Sequence, residues 1–277
     1  MKARLPCANH KMPSVAKSGS ISAGEESRTR TPVKVLYLYA ISRMPQRMPP
    51  AITAEGIDGG APVEALRCED YICWTSRVSK AEFADHIIDR MQDLEWLASA
   101  GLRHQCVVAQ ISSTLPTLPA RFGTVFLNEA SLARHIKSRK RALRAAFQRV
   151  ADADEWGVKL FASAAPKKRD TRPPASGSEY LQRKAALMQP RSARKLDPEV
   201  QEFVSLLKRM ALATGPGGKV SAGQPGLLWH GSFLIRKKDR KKLDAALRRY
   251  ARRWKDLRRI DCSGPWPPYS FVGEHVH

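Results

Sequence analysis

The sequence has no apolar stretch that approaches the ~20 residues needed to span a bilayer. Acidic residues are also scarce, because 26 aspartates and glutamates stand against 48 lysines and arginines, which gives a formal net charge of +22. This composition predicts a protein that does not cross a membrane and that attracts acidic partners or polyanions. Hydrophobic residues still make up 43% of the 277 positions, enough for a sizeable core.

Residue clusters that carry catalysis or hold metals are missing as well. The seven histidines have no partners at ligand spacing, and the glycine-rich stretch 56–60 lacks the lysine and the helix of a phosphate loop. His104 and Cys106 point to different sides of a helix, so they cannot form a nucleophile pair. The sequence therefore predicts no catalytic residue, cofactor, metal or small-molecule substrate. The odd number and scattered spacing of the cysteines predict a reducing compartment, the cytoplasm.

Composition and periodicity divide the chain into four parts. Residues 1–32 are rich in small and basic residues without periodicity, which predicts a disordered extension or, in a second interpretation, a start codon assigned too far upstream. Strand and helix patterns over 33–164 predict an α+β domain with an antiparallel sheet. Residues 165–176 have the composition of a linker. Residues 177–273 predict a C-terminal domain, in which a helical segment precedes a β-α-β unit.

Two helical patterns predict which side chains face the core. After a predicted strand at Leu227–Arg236, a stripe of apolar residues at i, i+4, i+7, i+11 and i+14 lies opposite a densely basic face. This stripe favours Tyr250 and Trp254 as core residues over partner-facing ones, and its members are Leu243, Leu247, Tyr250, Trp254 and Leu257. A second helical pattern continues through a further set of apolar residues: Met91, Leu94, Leu97, Ala98, Leu102, Val108 and Ile111.

Several motifs resemble those of the gas vesicle protein GvpL/GvpF family. Residues 263–272 read SGPWPPYSFV and are similar to the closing motif of the family, with Ser263 in place of threonine. Residues 118–126 read LPARFGTVF and resemble an internal motif, with Ala120 where leucine is usual. Residues 56–63 and 155–159 match two shorter motifs. The likeness extends from about residue 33 to residue 273.

This resemblance implies an N-terminal α+β domain and a C-terminal ferredoxin-like domain. It also implies an accessory or minor structural protein of gas vesicle assembly, located in the cytoplasm and at the vesicle, that binds the small shell subunit and other accessory proteins. The positive charge leaves one alternative, a basic nucleic-acid-binding protein. The chain has no recognised nucleic-acid-binding motif, and the basic helix face carries no aromatic residue. Both observations argue against specific nucleic-acid binding.

Residues of the two longest motifs are the candidate partner contacts: Arg121, Phe122, Trp266, Tyr269 and Phe271. The proline-rich run around Trp266 and Tyr269 cannot be a central strand. Its aromatic residues either fold back to cap the core or present an aromatic surface to a partner, where tryptophan and tyrosine are favoured anchors. Arg121 and Phe122 are either a structural turn or a contact site.

Overall fold

The computed structural model describes residues 33–163, 196–216 and 224–272. The predicted extension 1–32, the predicted linker and the first part of the predicted C-terminal domain lie outside these residues. The backbone divides into two compact units, one of Met1–Ala151 together with Pro267–His277 and the other of Asp152–Trp266. No helix within the described ranges is long and apolar enough to cross a membrane.

The first unit is built on an antiparallel sheet around one buried strand, β1 (Lys34–Arg43). Every residue of that strand except the two at its ends is buried, which explains its continuous apolar sequence. Strand β3 pairs with one edge of β1 and with β2, while β4 and β5 share the other edge of β1. The strands are β1 (Lys34–Arg43), β2 (Glu64–Cys68), β3 (Tyr71–Ser79), β4 (Thr117–Pro119) and β5 (Val125–Phe126).

Four α-helices, one π-helical turn (Ala81–Asp85) and one 3₁₀ turn (Tyr269–Phe271) complete the described part of the first unit. The long second helix begins at Asp93, whose carboxylate accepts hydrogen bonds from the N–H groups of Glu95 and Trp96 at 3.0 and 3.1 Å. The helices are α1 (Ile87–Arg90), α2 (Leu94–Thr114), α3 (Glu129–Ser138) and α4 (Lys140–Val150).

The predicted core face of α2 is partly wrong. Val108 and Ile111 are buried as predicted, but Met91, Leu94 and Leu102 are 37%, 79% and 45% exposed. The other core positions of the helix are Ala100, His104 and Val107. The physical reason is that the buried face includes the polar residue His104, whereas the prediction considered only apolar residues.

The second unit is a four-stranded antiparallel sheet in the order β7-β8-β6-β9. Two helices contribute to its core, in which Phe203, Tyr250 and Trp254 are fully buried and contact one another. The described elements follow the order β-α-β-β-α-β and are β6 (Ala153–Ala162), α5 (Pro198–Met210), β7 (Ala213–Pro216), β8 (Leu227–Arg236), α6 (Arg240–Arg253) and β9 (Arg258–Trp266).

The structure divides the chain differently from the sequence prediction, which placed residues 33–164 in one domain and 177–273 in another. Strand β6 belongs to the second unit, because it pairs with β8 and β9. The chain from Pro267 onwards belongs to the first unit. The predicted strand at Leu227–Arg236 and the burial of Tyr250 and Trp254 are confirmed. Leu257 is exposed rather than buried, because α6 ends before it.

Replacing Gly264 with alanine is expected to destabilise the second unit by about 2 kcal/mol. Gly264 has a φ of +135°, and a Cβ there would lie 2.9 Å from the carbonyl oxygen of Glu155 and 3.0 Å from the ring of Trp156. Thermal unfolding followed by circular dichroism measures the loss. The matched control is Gly60→Ala, because a Cβ at Gly60 meets nothing within 4 Å. Equal effects of the two substitutions would contradict the steric argument.

Candidate partner-contact site

The motif loop, defined as residues 118–126, is fixed to the edge of the central strand β1. Its two ends lie in β4 and β5, which both pair with β1. Between them the N–H of Ala120 donates to the carbonyl oxygen of Tyr39 at 2.8 Å, and the carbonyl of Thr124 accepts from the N–H of Leu38 at 2.9 Å. The loop therefore extends the sheet rather than hanging free of it.

A tyrosine hydroxyl links the motif loop to helix α2. The N–H of Gly123 donates to the hydroxyl oxygen of Tyr37 at 3.2 Å, and that hydroxyl lies 2.9 Å from Nδ1 of His104. The ring of Phe122 packs beside the same histidine, with 5.9 Å between the ring centroids. Gly123 has a φ of +84°, a conformation that favours glycine and lets the turn place its N–H over Tyr37.

Burial sets the protonation state of this cluster. His104 is almost completely buried, and desolvation lowers its pKa to about 4, a shift that the backbone of Ala120 opposes weakly. Burial also raises the pKa of Tyr37 well above its ordinary value. At neutral pH the imidazole is therefore neutral, and its Nδ1 can accept a hydrogen bond from the hydroxyl group of Tyr37.

The C-terminal motif folds back on the same histidine. The ring of Tyr269 lies 6.2 Å from the ring of His104, and Phe271 and Val272 are buried. The Nη1 group of Arg149 donates to the carbonyl oxygen of Phe271 at 3.4 Å, which holds the segment to α4. For Tyr269 and Phe271 the structure therefore favours the interpretation in which the aromatic residues cap the core.

The remaining two candidate contacts occupy different settings. Arg121 is exposed at the turn of the motif loop. Trp266 ends strand β9 of the second unit opposite Glu155, and its indole N–H donates to the hydroxyl oxygen of Ser263 at 3.1 Å. The structure thus brings Phe122 and Tyr269 together around one histidine, while Trp266 forms part of the other unit.

An exposed apolar turn adjoins the motif loop, and two of its residues, Met91 and Leu94, belong to the helical pattern found in the sequence. We define the apolar turn as residues 88–94, in which Ile88, Met91 and Leu94 are exposed. The terminal carbon of Met91 lies 3.6 Å from the position that a Cβ on Gly123 would occupy. A warning was present in the sequence, since Asp93 is a strong N-cap residue and separates Met91 from the helix that follows.

The side chains of this surface are suited to contact with another protein. In residues 33–163, 196–216 and 224–272, no group of three or more histidine, cysteine, aspartate or glutamate side chains could hold a metal ion. What the surface offers is the three apolar side chains of the apolar turn and the guanidinium group of Arg121, which lies on the loop that the sheet and the histidine cluster hold in place. Such an arrangement suits a partner with an apolar face.

Comparisons with known proteins agree with the motifs. The sequence model of the family described as gas vesicle synthesis protein GvpL/GvpF matches residues 35–273. Gas vesicle protein L of Streptomyces sp. (strain CB03234) is 28% identical over 260 residues, which cover 88% of this chain and 96% of that protein.

Solved structures show the same fold. The crystal structure of gas vesicle protein GvpF from Anabaena sp. PCC7120 matches with a TM-score of 0.63 at 20% identity, covering 87% of this chain and 96% of that one. GvpF from Microcystis aeruginosa matches with a TM-score of 0.59 at 18% identity, covering 86% of this chain and 99% of that one. The mixed α and β composition with antiparallel sheets agrees with both. The chain belongs to the GvpL/GvpF family of gas vesicle synthesis proteins.

Proposed function

We propose that this protein is a non-catalytic accessory or minor structural protein of gas vesicle assembly, acting in the cytoplasm and at the vesicle. It binds the small shell subunit and other accessory proteins. The observation that carries the proposal is the exposed apolar turn beside the motif loop. Family membership supports a role in gas vesicle formation but does not name the partner.

The physical argument concerns the shell subunit before it polymerises. A small subunit with a large apolar face aggregates unless another protein covers that face. Exposed side chains such as Ile88 and Leu94 cost an isolated protein solubility, so their grouping in one short turn favours a partner that buries them. The comparisons lend no support to the alternative of a nucleic-acid-binding protein.

We assign the candidate contacts different tasks in this binding. Arg121 contacts the partner directly, since it is exposed at the tip of the motif loop. Phe122 and Tyr269 support the loop from beneath through the cluster around His104, and the buried Phe271 holds the C-terminal segment to α4. Trp266 contributes a contact from the second unit. For that unit we propose a ferredoxin-like fold, which its β-α-β-β-α-β element order and its strand order support.

Substituting Ile88 and Leu94 together by serine is expected to reduce retention of the shell subunit at least tenfold. The two side chains are exposed, so the double substitution changes the free energy of unfolding by only about 0.5 kcal/mol per site. The measurement is co-purification of the shell subunit with this protein from cells that express both. Retention by the wild-type protein and its loss in I88S/L94S is the expected result.

The matched control is Leu228→Ser with Leu257→Ser, two exposed leucines of the second unit. This control is expected to retain the shell subunit as the wild type does. If the wild type retains none, or if both double variants lose it equally, the apolar turn is not the contact surface. Normal vesicles in a strain that lacks the gene would contradict the assembly role itself.

A further inference from the structure

A cavity of about 420 Å³ opens in the first unit, at the end of the sheet where the β2–β3 hairpin turns. Its walls come from the end of β1, from β2 with the hairpin turn, and from one face of α4. Three of the residues that line it are arginines, and each arginine belongs to a different element. The lining includes Arg43, Met44, Arg67, Tyr71, Arg144 and Gln148.

The acidic residues of the cavity are already engaged. Glu69 and Asp70 form the hairpin turn, and both pair with the ammonium group of Lys140, at 2.9 and 3.1 Å. Hydrogen bonds to these carboxylates raise the pKa of Lys140. Arg144 reaches Asp70 only at 3.8 Å. One lysine therefore offsets much of the negative charge that would otherwise neutralise the three arginines.

Arg43 and Arg67 have no acidic partner within 4 Å among the residues that the structure describes. Arg43 is held instead by an aromatic stack, with its guanidinium 5.2 Å from the ring centre of Phe147. Phe147 in turn stacks on Tyr71 at 5.7 Å with an interplanar angle of 9°. A guanidinium oriented in this way keeps its N–H donors for another acceptor, and it loses less conformational freedom on binding.

We propose that this cavity is a binding site for a small polyanion that carries at least two oxyanion groups, either phosphates or carboxylates. Guanidinium groups form paired N–H···O hydrogen bonds with both kinds of oxyanion. Convergence from three elements distinguishes this cavity from a basic helix face such as that of α6, where the cations follow one another on a single surface. The volume lies within the roughly 300–1,000 Å³ range of small-molecule sites, and the amide of Gln148 adds a polar group for orientation.

Isothermal titration calorimetry of the full chain in phosphate-free, low-salt buffer tests the proposal, with pyrophosphate in one arm and citrate in the other. Saturable binding of one equivalent of either probe is expected, and the arm that binds more tightly identifies the phosphate or the carboxylate class. Arg43→Gln with Arg67→Gln is expected to weaken that binding at least tenfold. Arg144→Gln alone is expected to weaken it severalfold, which provides a second, milder variant.

The matched control is Arg134→Gln with Arg141→Gln, which removes the same charge from exposed positions of α3 and α4 that do not line the cavity. Its dissociation constant for the probe is expected to lie within twofold of the wild-type value. Far-UV circular dichroism and a melting curve confirm that each variant is folded. Failure of both probes to bind the wild type overturns the proposal, as does equal weakening by the two double variants, because net charge alone would then account for the attraction. The shell subunit takes no part in this test, so its outcome is independent of the proposed function.

Discussion

Replacing Trp254 with alanine is expected to destabilise the second unit by about 3–5 kcal/mol, the range for removing a fully buried aromatic side chain. The ring is 1% exposed and packs against Tyr250 and Phe203, with centroids 4.9 and 5.3 Å away. Its indole N–H also donates to a carboxylate oxygen of Glu199 at 3.1 Å. Alanine would leave a cavity between the helices α5 and α6 and would remove one of the hydrogen bonds to Glu199, whose carboxylate still accepts from Arg258.

Chemical denaturation followed by circular dichroism measures this loss without relying on tryptophan fluorescence. Trp254→Phe retains most of the packing and loses the hydrogen bond, so we expect it to lie between the wild type and W254A. Trp266→Ala is the matched control, because this tryptophan is only half-buried at the end of β9. If the free energy of unfolding of W254A lies within about 1 kcal/mol of the wild-type value, the aromatic core does not hold the two helices together.

Acidification is expected to destabilise the first unit through His104. The pKa of His104 in the folded chain is about 4, below the value of about 6.5 in an unfolded chain, so the unfolded chain binds the proton first as the pH falls. The stabilisation from the neutral imidazole is therefore complete above pH 6.5 and is lost as the pH falls towards 4. Linkage gives a loss of about 2 kcal/mol at pH 5 and about 3 kcal/mol at pH 4.

The measurement is the free energy of unfolding at a series of pH values for the wild type and for His104→Gln. His135, whose pKa burial also lowers, acts in the same direction in both proteins, so the difference between the two curves isolates His104. His86→Gln, at an exposed histidine, should follow the wild-type curve. Parallel curves for the wild type and H104Q would contradict the assignment of acid sensitivity to this residue.

Local sequence patterns predicted the strands and helices of this chain better than they predicted which strands pair. Strand β8 and the core positions Tyr250 and Trp254 follow from residues close together in sequence, and the structure confirms them. Strand β6 lies within residues 33–164, which the sequence assigned to the N-terminal domain, but it belongs to the second unit. Its pairing with β8 and β9 joins residues far apart in the chain, and periodicity carries no information about such pairing.

The candidate site shows a similar limit. The motifs identified Phe122 and Tyr269, but the sequence left open whether these residues face a partner or the core. The decision depends on His104, a polar residue buried against Tyr37, which an apolar stripe would have excluded from the core. The exposure of Met91 and Leu94 was missed for another reason, because the helical pattern was continued past the N-cap residue Asp93. The arginines of the cavity come together only through tertiary packing.

The return of the chain to the first unit after Trp266 has a consequence for biosynthesis. On the ribosome, the second unit possesses all of its strands once Trp266 has emerged, although it begins later in the chain. The first unit, which starts earlier, must wait for the segment that packs Tyr269 beside His104. A released chain truncated after Trp266 would therefore contain every described strand of the second unit but an incomplete first unit, the reverse of the usual N-terminal-first order.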